Sequence, residues 1–180
     1  MNALKAAQEY AKRGWATFPV HGVVNGECTC GKVDCPNKGK HPATPNGLHA
    51  ATKDPAALDM LFYKPGFNIG LACGPASGVF VLDIDGEEGE AALNGHPIPP
   101  TLTHLTGRSR HLLFAYPENK KISNSTSQIG PKLEIRGDGG YIVVAPSIHA
   151  NGTKYRFENI SVPPAEPPEW LVKKATKKKR

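Results

Sequence analysis

Two carboxylates at alternate positions close an apolar run, Val79-Phe80-Val81-Leu82-Asp83-Ile84-Asp85-Gly86. On a strand, alternate residues share a face, so Asp83 and Asp85 point together. Crowded carboxylates repel unless a cation sits between them, and oxygen donors suit Mg²⁺ or Mn²⁺. Without a cation, the same residues make a solvated strand end with an Asp-Gly turn. A second segment, Thr106-Gly107-Arg108-Ser109-Arg110-His111, leads a basic, Gly-containing turn into the apolar run Leu112-Leu113-Phe114. Its Arg108, Ser109, Arg110 and His111 are the donor types that bind a triphosphate. A third, Leu133-Glu134-Ile135-Arg136-Gly137-Asp138-Gly139-Gly140-Tyr141, places Glu134 and Arg136 on one strand face. Gly139 and its neighbours let a ligand approach the backbone closely, although Asp-Gly also explains an ordinary hairpin turn.

Soft ligands cluster elsewhere. Cys28, Cys30, Cys35 and His41 fall within fourteen residues, among Gly31, Pro36 and Gly39. Three thiolates and an imidazole satisfy tetrahedral Zn²⁺, and a closed set of that kind is structural rather than catalytic. A disulfide is the competing reading, and three local cysteines pair badly. His21 is an alternate fourth ligand. Cys73 lies apart and reads as a small buried hydrophobe. His49, His96, His104 and His149 have no evident partners in the sequence and read as structural or surface residues. Trp15 and Trp170 read as packing groups.

These residues need elements to hold them. Ala3, Leu4, Ala7, Tyr10 and Ala11 recur at helical spacing, with Gly14 as the stop. Trp15 to Val20 reads as a strand. Residues 21 to 50 form a long loop that requires a function or a staple. Asp54-Pro55 caps a helix reaching about Phe62. Asn68 to Ala72 and Val79 to Asp85 read as strands, and Glu87 to Leu93 as a helix. A Pro-rich loop follows. Arg110 to Ala115, Lys132 to Arg136 and Tyr141 to Ala145 read as strands, the last two joined as a hairpin through residues 137 to 140. Tyr155 to Glu158 is a short final strand. The order is mixed α and β, mainly antiparallel in its second half.

The chain has 180 residues, 39% of them hydrophobic and 21% charged, enough for one domain or two small lobes. No apolar run spans a membrane and no signal-peptide core is present, so a cytoplasmic protein with reduced thiols is expected. The net charge of +6 misleads, because six of the 22 basic residues lie in the last eight positions. The remainder is balanced, so any nucleic-acid surface must come from local clustering. Residues 173 to 180 read as a basic tail or linker and residues 1 to 172 as the domain, with the zinc loop at about 21 to 45.

Taken in order, Asp-x-Asp, Ser-x-His and a strand carboxylate followed by Gly-Asp-Gly-Gly-Tyr resemble the archaeo-eukaryotic primase superfamily. The resemblance is to the bifunctional primase-polymerase branch of phage and plasmid replication proteins. Gly14-Trp15, Lys40-His41-Pro42, Asn68-Ile69-Gly70 and Ala145-Pro146-Ser147 extend it to about Trp170. It implies an α/β fold with an RNA-recognition-motif-like catalytic sheet beside a second α/β module. It further implies that Asp83, Asp85 and Glu134 bind Mg²⁺ or Mn²⁺, and that Ser109 and His111 contact the incoming nucleotide. Many relatives carry Asp where Glu134 stands, and Asp138 is the alternative carboxylate. Arg108, Arg110 and Arg136 become phosphate or template contacts. The branch often carries a zinc stem. The implied partners are a DNA template and primer, NTPs or dNTPs, and a helicase domain or protein. The competing functions are a two-metal nuclease or phosphoesterase and a non-catalytic zinc-containing DNA-binding module.

Overall fold

A computed structural model describes residues 1–176, so Lys177, Lys178, Lys179 and Arg180 of the basic tail expected over residues 173 to 180 lie outside the described residues. The chain divides into two compact units. The first comprises residues 1–72 and 141–156, the second residues 73–140 and the described residues from 157 on. No helix among the described residues is long and apolar enough to cross a membrane.

The first unit opens with α1 (Ala3–Lys12), capped by Asn2, whose side chain accepts from Lys5 N–H. Its Ala6, Ala7 and Tyr10 are buried. Three antiparallel strands follow, β1 (Thr17–Val20), β4 (Asn68–Ala72) and β10 (Tyr141–Val144), in the order β1-β4-β10. Between β1 and β4 lie a two-stranded ribbon, β2 (Val23–Val24) with β3 (Glu27–Cys28), a 3-10 turn at Gly47–Ala50, and α2 (Pro55–Leu61). Asp54 caps α2 by accepting from Ala57 N–H, and Pro55 occupies the first turn, where its missing N–H costs nothing. Phe18, Val20, Val143 and Tyr155 form a core against Leu48, Ala51, Tyr141 and Ala145.

The second unit is a six-stranded sheet in the order β11-β6-β7-β5-β9-β8. Its strands are β5 (Val79–Ile84), β6 (Leu102–Leu105), β7 (Arg110–Ala115), β8 (Ser125–Gly130), β9 (Leu133–Arg136) and β11 (Arg156–Phe157). The helices α3 (Gly86–Ala92) and α4 (Glu169–Ala175) complete the set. One sheet face carries Phe80, Leu82, Ile84, Leu112, Phe114, Leu133 and Ile135, packed with Leu93, Leu171 and Ala175 into one core. Full burial of each large side chain contributes about 1.5–3 kcal/mol. The alternate residues, Asp83, His111 and Glu134 among them, therefore belong to the opposite face.

Three expectations change. The turn at 137–140 does not make a hairpin: β9 pairs with β5 and β8, whereas β10 pairs with β4 in the other unit's sheet. The turn is instead braced by Asn124, whose Oδ1 accepts from Gly137 N–H and whose Nδ2 donates to Gly139 O. A Cβ at Gly140 would lie 1.9 Å from Asn124 Oδ1, so the bracing itself requires glycine. The Pro-rich segment before Arg110 contains β6, whose Leu102, Thr103 and His104 are all buried and so show no alternation. The tail boundary at 173 falls inside α4, where Ala175 joins the core and Lys174 O accepts from Gln128 Nε2.

Candidate functional site

The register of the larger sheet builds a row. His104 on β6 is opposite His111 on β7, His111 is opposite Asp83 on β5, and Asp83 is opposite Glu134 on β9. His111 Nε2 lies 3.5 Å from Asp83 Oδ1. Directly opposed like charges destabilise a sheet, so the Asp83–Glu134 pair calls for neighbouring cations. Arg136, two residues along β9, bonds Glu134 through Nη2.

Asp85 follows β5 and opens α3. Ser109 Oγ donates to Asp85 Oδ1 at 2.9 Å, Arg108 Nε lies 3.1 Å from the same oxygen, and Lys132 Nζ lies 3.6 Å from Oδ2. Burial pushes the Asp85 carboxyl up, but the Ser109 hydroxyl and the Arg108 and Lys132 charges outweigh it and hold the group below its usual range. Asp83, His111, Glu134 and Arg136 thus form one set of contacts and register pairs, Asp85, Ser109, Arg108 and Lys132 a second, and the end of β5 carries a carboxylate into each.

Lys132 belongs to this group although its sequence context gave no reading of it. A signal was available, because the strand expected over Lys132 to Arg136 puts Lys132, Glu134 and Arg136 at alternate positions, although β9 begins at Leu133 and Lys132 sits in the turn before it at φ +58°. Its backbone is anchored where Asp85 N–H donates to Lys132 O at 3.0 Å. Asn124 was also missed, and no local pattern marks it, since it meets the glycine turn only in three dimensions.

Arg110 is not brought to the row. It neighbours His111 in sequence and so faces the other side of the sheet. There its guanidinium binds Glu90 twice, Nε to Oε1 at 2.5 Å and Nη2 to Oε2 at 2.9 Å. Asp138 pairs with Lys121 at 3.6 Å, and Gly139 sits beside it at φ +83°, the left-handed region that favours glycine. His104, read from the sequence as structural or surface, is fully buried against His111.

The three carboxylates are half-buried, with side-chain exposures between 21% and 30%. They supply hard oxygen donors at a partly accessible site, the donor chemistry that Mg²⁺ or Mn²⁺ uses.

A second centre lies in the smaller-sheet unit. Ligand atoms of Cys28, Cys30, Cys35 and His41 all fall within 4.8 Å of one another. The Sγ atoms of Cys28 and Cys35 are each 3.4 Å from His41 Nε2. Tetrahedral zinc places sulfur and nitrogen ligands roughly 3.5 Å apart, so the spacing fits. Burial raises the Cys28 thiol, but donors from Gly39, Cys30 and His41 prevail and bring it to about 6. Burial and the neighbouring cysteines raise Cys35. His21 lies against His41 with the rings tilted at 36° and centroids 4.6 Å apart, and is outside the four-residue set. No disulfide joins any of the four cysteines, and Cys73 is buried.

No curated protein matches the chain in sequence. The family model described as "Bifunctional DNA primase/polymerase, N-terminal" matches residues 7–170, which takes in both centres. With nearly the whole chain matched, the chain belongs to the bifunctional DNA primase/polymerase N-terminal family.

Proposed function

We propose that this domain joins nucleotides on a DNA template, using two divalent ions held by Asp83, Asp85 and Glu134. The carrying observation is the row His111–Asp83–Glu134, extended by the Asp85–Ser109 bond. Mg²⁺ or Mn²⁺ bound there would supply Lewis-acid chemistry, activating a primer hydroxyl and stabilising pyrophosphate as it leaves. The chain's own residues do the positioning. Asp83 and Glu134 project from neighbouring strands whose opposite face is locked in the core. Ser109 orients the Asp85 carboxylate. His111, Arg108, Lys132 and Arg136 offer donors and positive charge to the phosphoryl oxygens, where such charge counts most.

The antiparallel β7-β5-β9 centre with helices against one face supports an RNA-recognition-motif-like catalytic sheet. The cysteine-histidine centre fits a structural zinc ion. Family membership supports DNA and nucleotides as partners, and it supports a place in phage or plasmid replication beside a helicase activity carried by other residues or another protein.

Primer extension with labelled nucleotides and Mg²⁺ or Mn²⁺ tests the reading. The parent protein should lengthen the primer. Asp83→Ala and Asp85→Ala should each lose about a hundredfold or more while staying folded, because several kcal/mol of charge stabilisation disappears. Near-normal extension by both variants would sink the metal-site assignment, and shortening of the primer would replace synthesis with a nuclease.

A further inference from the structure

His104 is a buried polar ring that the proposed chemistry leaves unused. Nothing of it is exposed, and burial together with the nearby His111 pushes its pKa well below the usual histidine range. Its Nδ1 lies 3.2 Å from Nδ1 of His111, and the two rings are nearly parallel at 11° with centroids 5.3 Å apart. Phe157 holds the ring edge-on at 4.7 Å. A buried polar group is costly unless it is hydrogen-bonded. The contact with His111 is therefore a reason for an imidazole at this position.

Two facing Nδ1 atoms bond only if one of them carries a proton. On its other side, His111 turns Nε2 toward Asp83. Ionised carboxylates and phosphates only accept, so a neutral His111 is useful there when its proton sits on Nε2. That leaves His111 Nδ1 as a lone pair, which a neutral His104 fills by donating.

We infer that His104 is a positioning residue: it donates from Nδ1 to His111 Nδ1, fixing His111 as the Nε2–H tautomer that faces Asp83 and the incoming triphosphate. The bond also fixes the plane of the His111 ring, since the donor approaches along the lone pair. Each reacting partner is thus oriented by a third group, the logic that recurs where a histidine must present one nitrogen. The inference rests on the reading of His111 as a nucleotide contact, but its tautomer can be observed without any activity.

Long-range ¹H–¹⁵N correlation spectra of the full chain, recorded at about pH 8, should show the His111 proton on Nε2 and a lone pair on Nδ1. His104→Asn, whose amide can donate from about the same place, should keep that pattern. His104→Phe, which keeps the ring packing, should lose it. Nucleotide affinity, measured by titration with a non-hydrolysable triphosphate and Mg²⁺, should weaken about five- to tenfold in the Phe variant and recover in the Asn variant. DNA affinity should stay unchanged in both. An Nδ1–H tautomer in the parent protein would overturn the inference, as would a Phe variant with parental tautomer and nucleotide affinity. The parent spectrum needs no variant, so a misfolded substitution does not shelter the idea. A parent protein that binds no nucleotide would overturn the functional reading instead, while its spectrum still decides the role of His104.

Discussion

His111 and Arg110 are sequence neighbours with opposite fates, which shows how little residue type alone decides. Both are basic, and both lie at the start of one strand. Alternation sends His111 to the carboxylate face and Arg110 to Glu90 beneath it. His111 keeps only 9% of its side chain exposed, and its Nε2 points along the row at Asp83. Its contribution should fall on the nucleotide and not on the DNA strand. His111→Ala should weaken triphosphate binding about tenfold or more, the loss expected for a hydrogen bond to a charged group, and leave DNA affinity within about twofold. Parallel titrations with nucleotide and with primer-template check this. Unchanged nucleotide affinity with lost DNA binding would reverse the assignment.

At the scale of elements, Arg110 ties the start of β7 to α3. Hydrogen bonding from Arg110 holds the Glu90 carboxyl below its usual range, with partial burial opposing and the guanidinium charge adding. Arg110 in turn feels Glu90 and, more weakly, Glu158. A carboxyl depressed in the folded state contributes stability above its unfolded value of about 4.3 and loses that contribution as pH falls through the folded value. Arg110→Gln should therefore melt below the parent near neutrality, and the gap should close between roughly pH 5 and pH 3. Its nucleotide affinity should match the parent's. A nucleotide defect as large as that of His111→Ala would move Arg110 into the pocket.

The same alternation explains what could be read in advance. Val79 to Asp85 is an apolar run that ends in polar residues and Arg110 to Ala115 one that begins with them, so strand, face and candidate ligands were visible together. β6 was not, because Leu102, Thr103 and His104 are all buried and mix polar with apolar types. β8 was not, because Ser125–Gly130 is a largely polar edge strand. Local turn chemistry at 137–140 matched a hairpin, but pairing is settled by distant strands, and β4 captured β10. The four zinc-type ligands were legible because their closeness is already closeness in sequence. The pairing of His104 with His111 was hidden because it depends on the register of a strand that had not been seen.

At the scale of the whole molecule, the two units solve the problem of a small core differently. The unit that carries the carboxylates has a continuous apolar face under its six-stranded sheet. The other has three strands, a smaller core, and a long polar excursion between β1 and β4 with only a two-stranded ribbon for regular pairing. An isolated two-stranded ribbon is marginal in water, so the segment from 21 to 45 needs another source of order. The Cys28, Cys30, Cys35 and His41 set supplies it if one ion is bound, because metal affinity then becomes folding energy. Elemental analysis of protein purified under reducing conditions should find about one zinc per chain. Cys35→Ser should lower that content, and hydrogen exchange should rise first in peptides covering the loop, with the strands bearing Asp83, His111 and Glu134 keeping their protection. Chelation should reproduce the same pattern, and zinc should not replace Mg²⁺ or Mn²⁺ in synthesis, because the carboxylate site offers hard oxygens and the loop soft sulfurs. Absence of zinc in metal-replete protein, or a native disulfide between Cys28 and Cys35, would defeat the zinc assignment and leave the carboxylate site untouched.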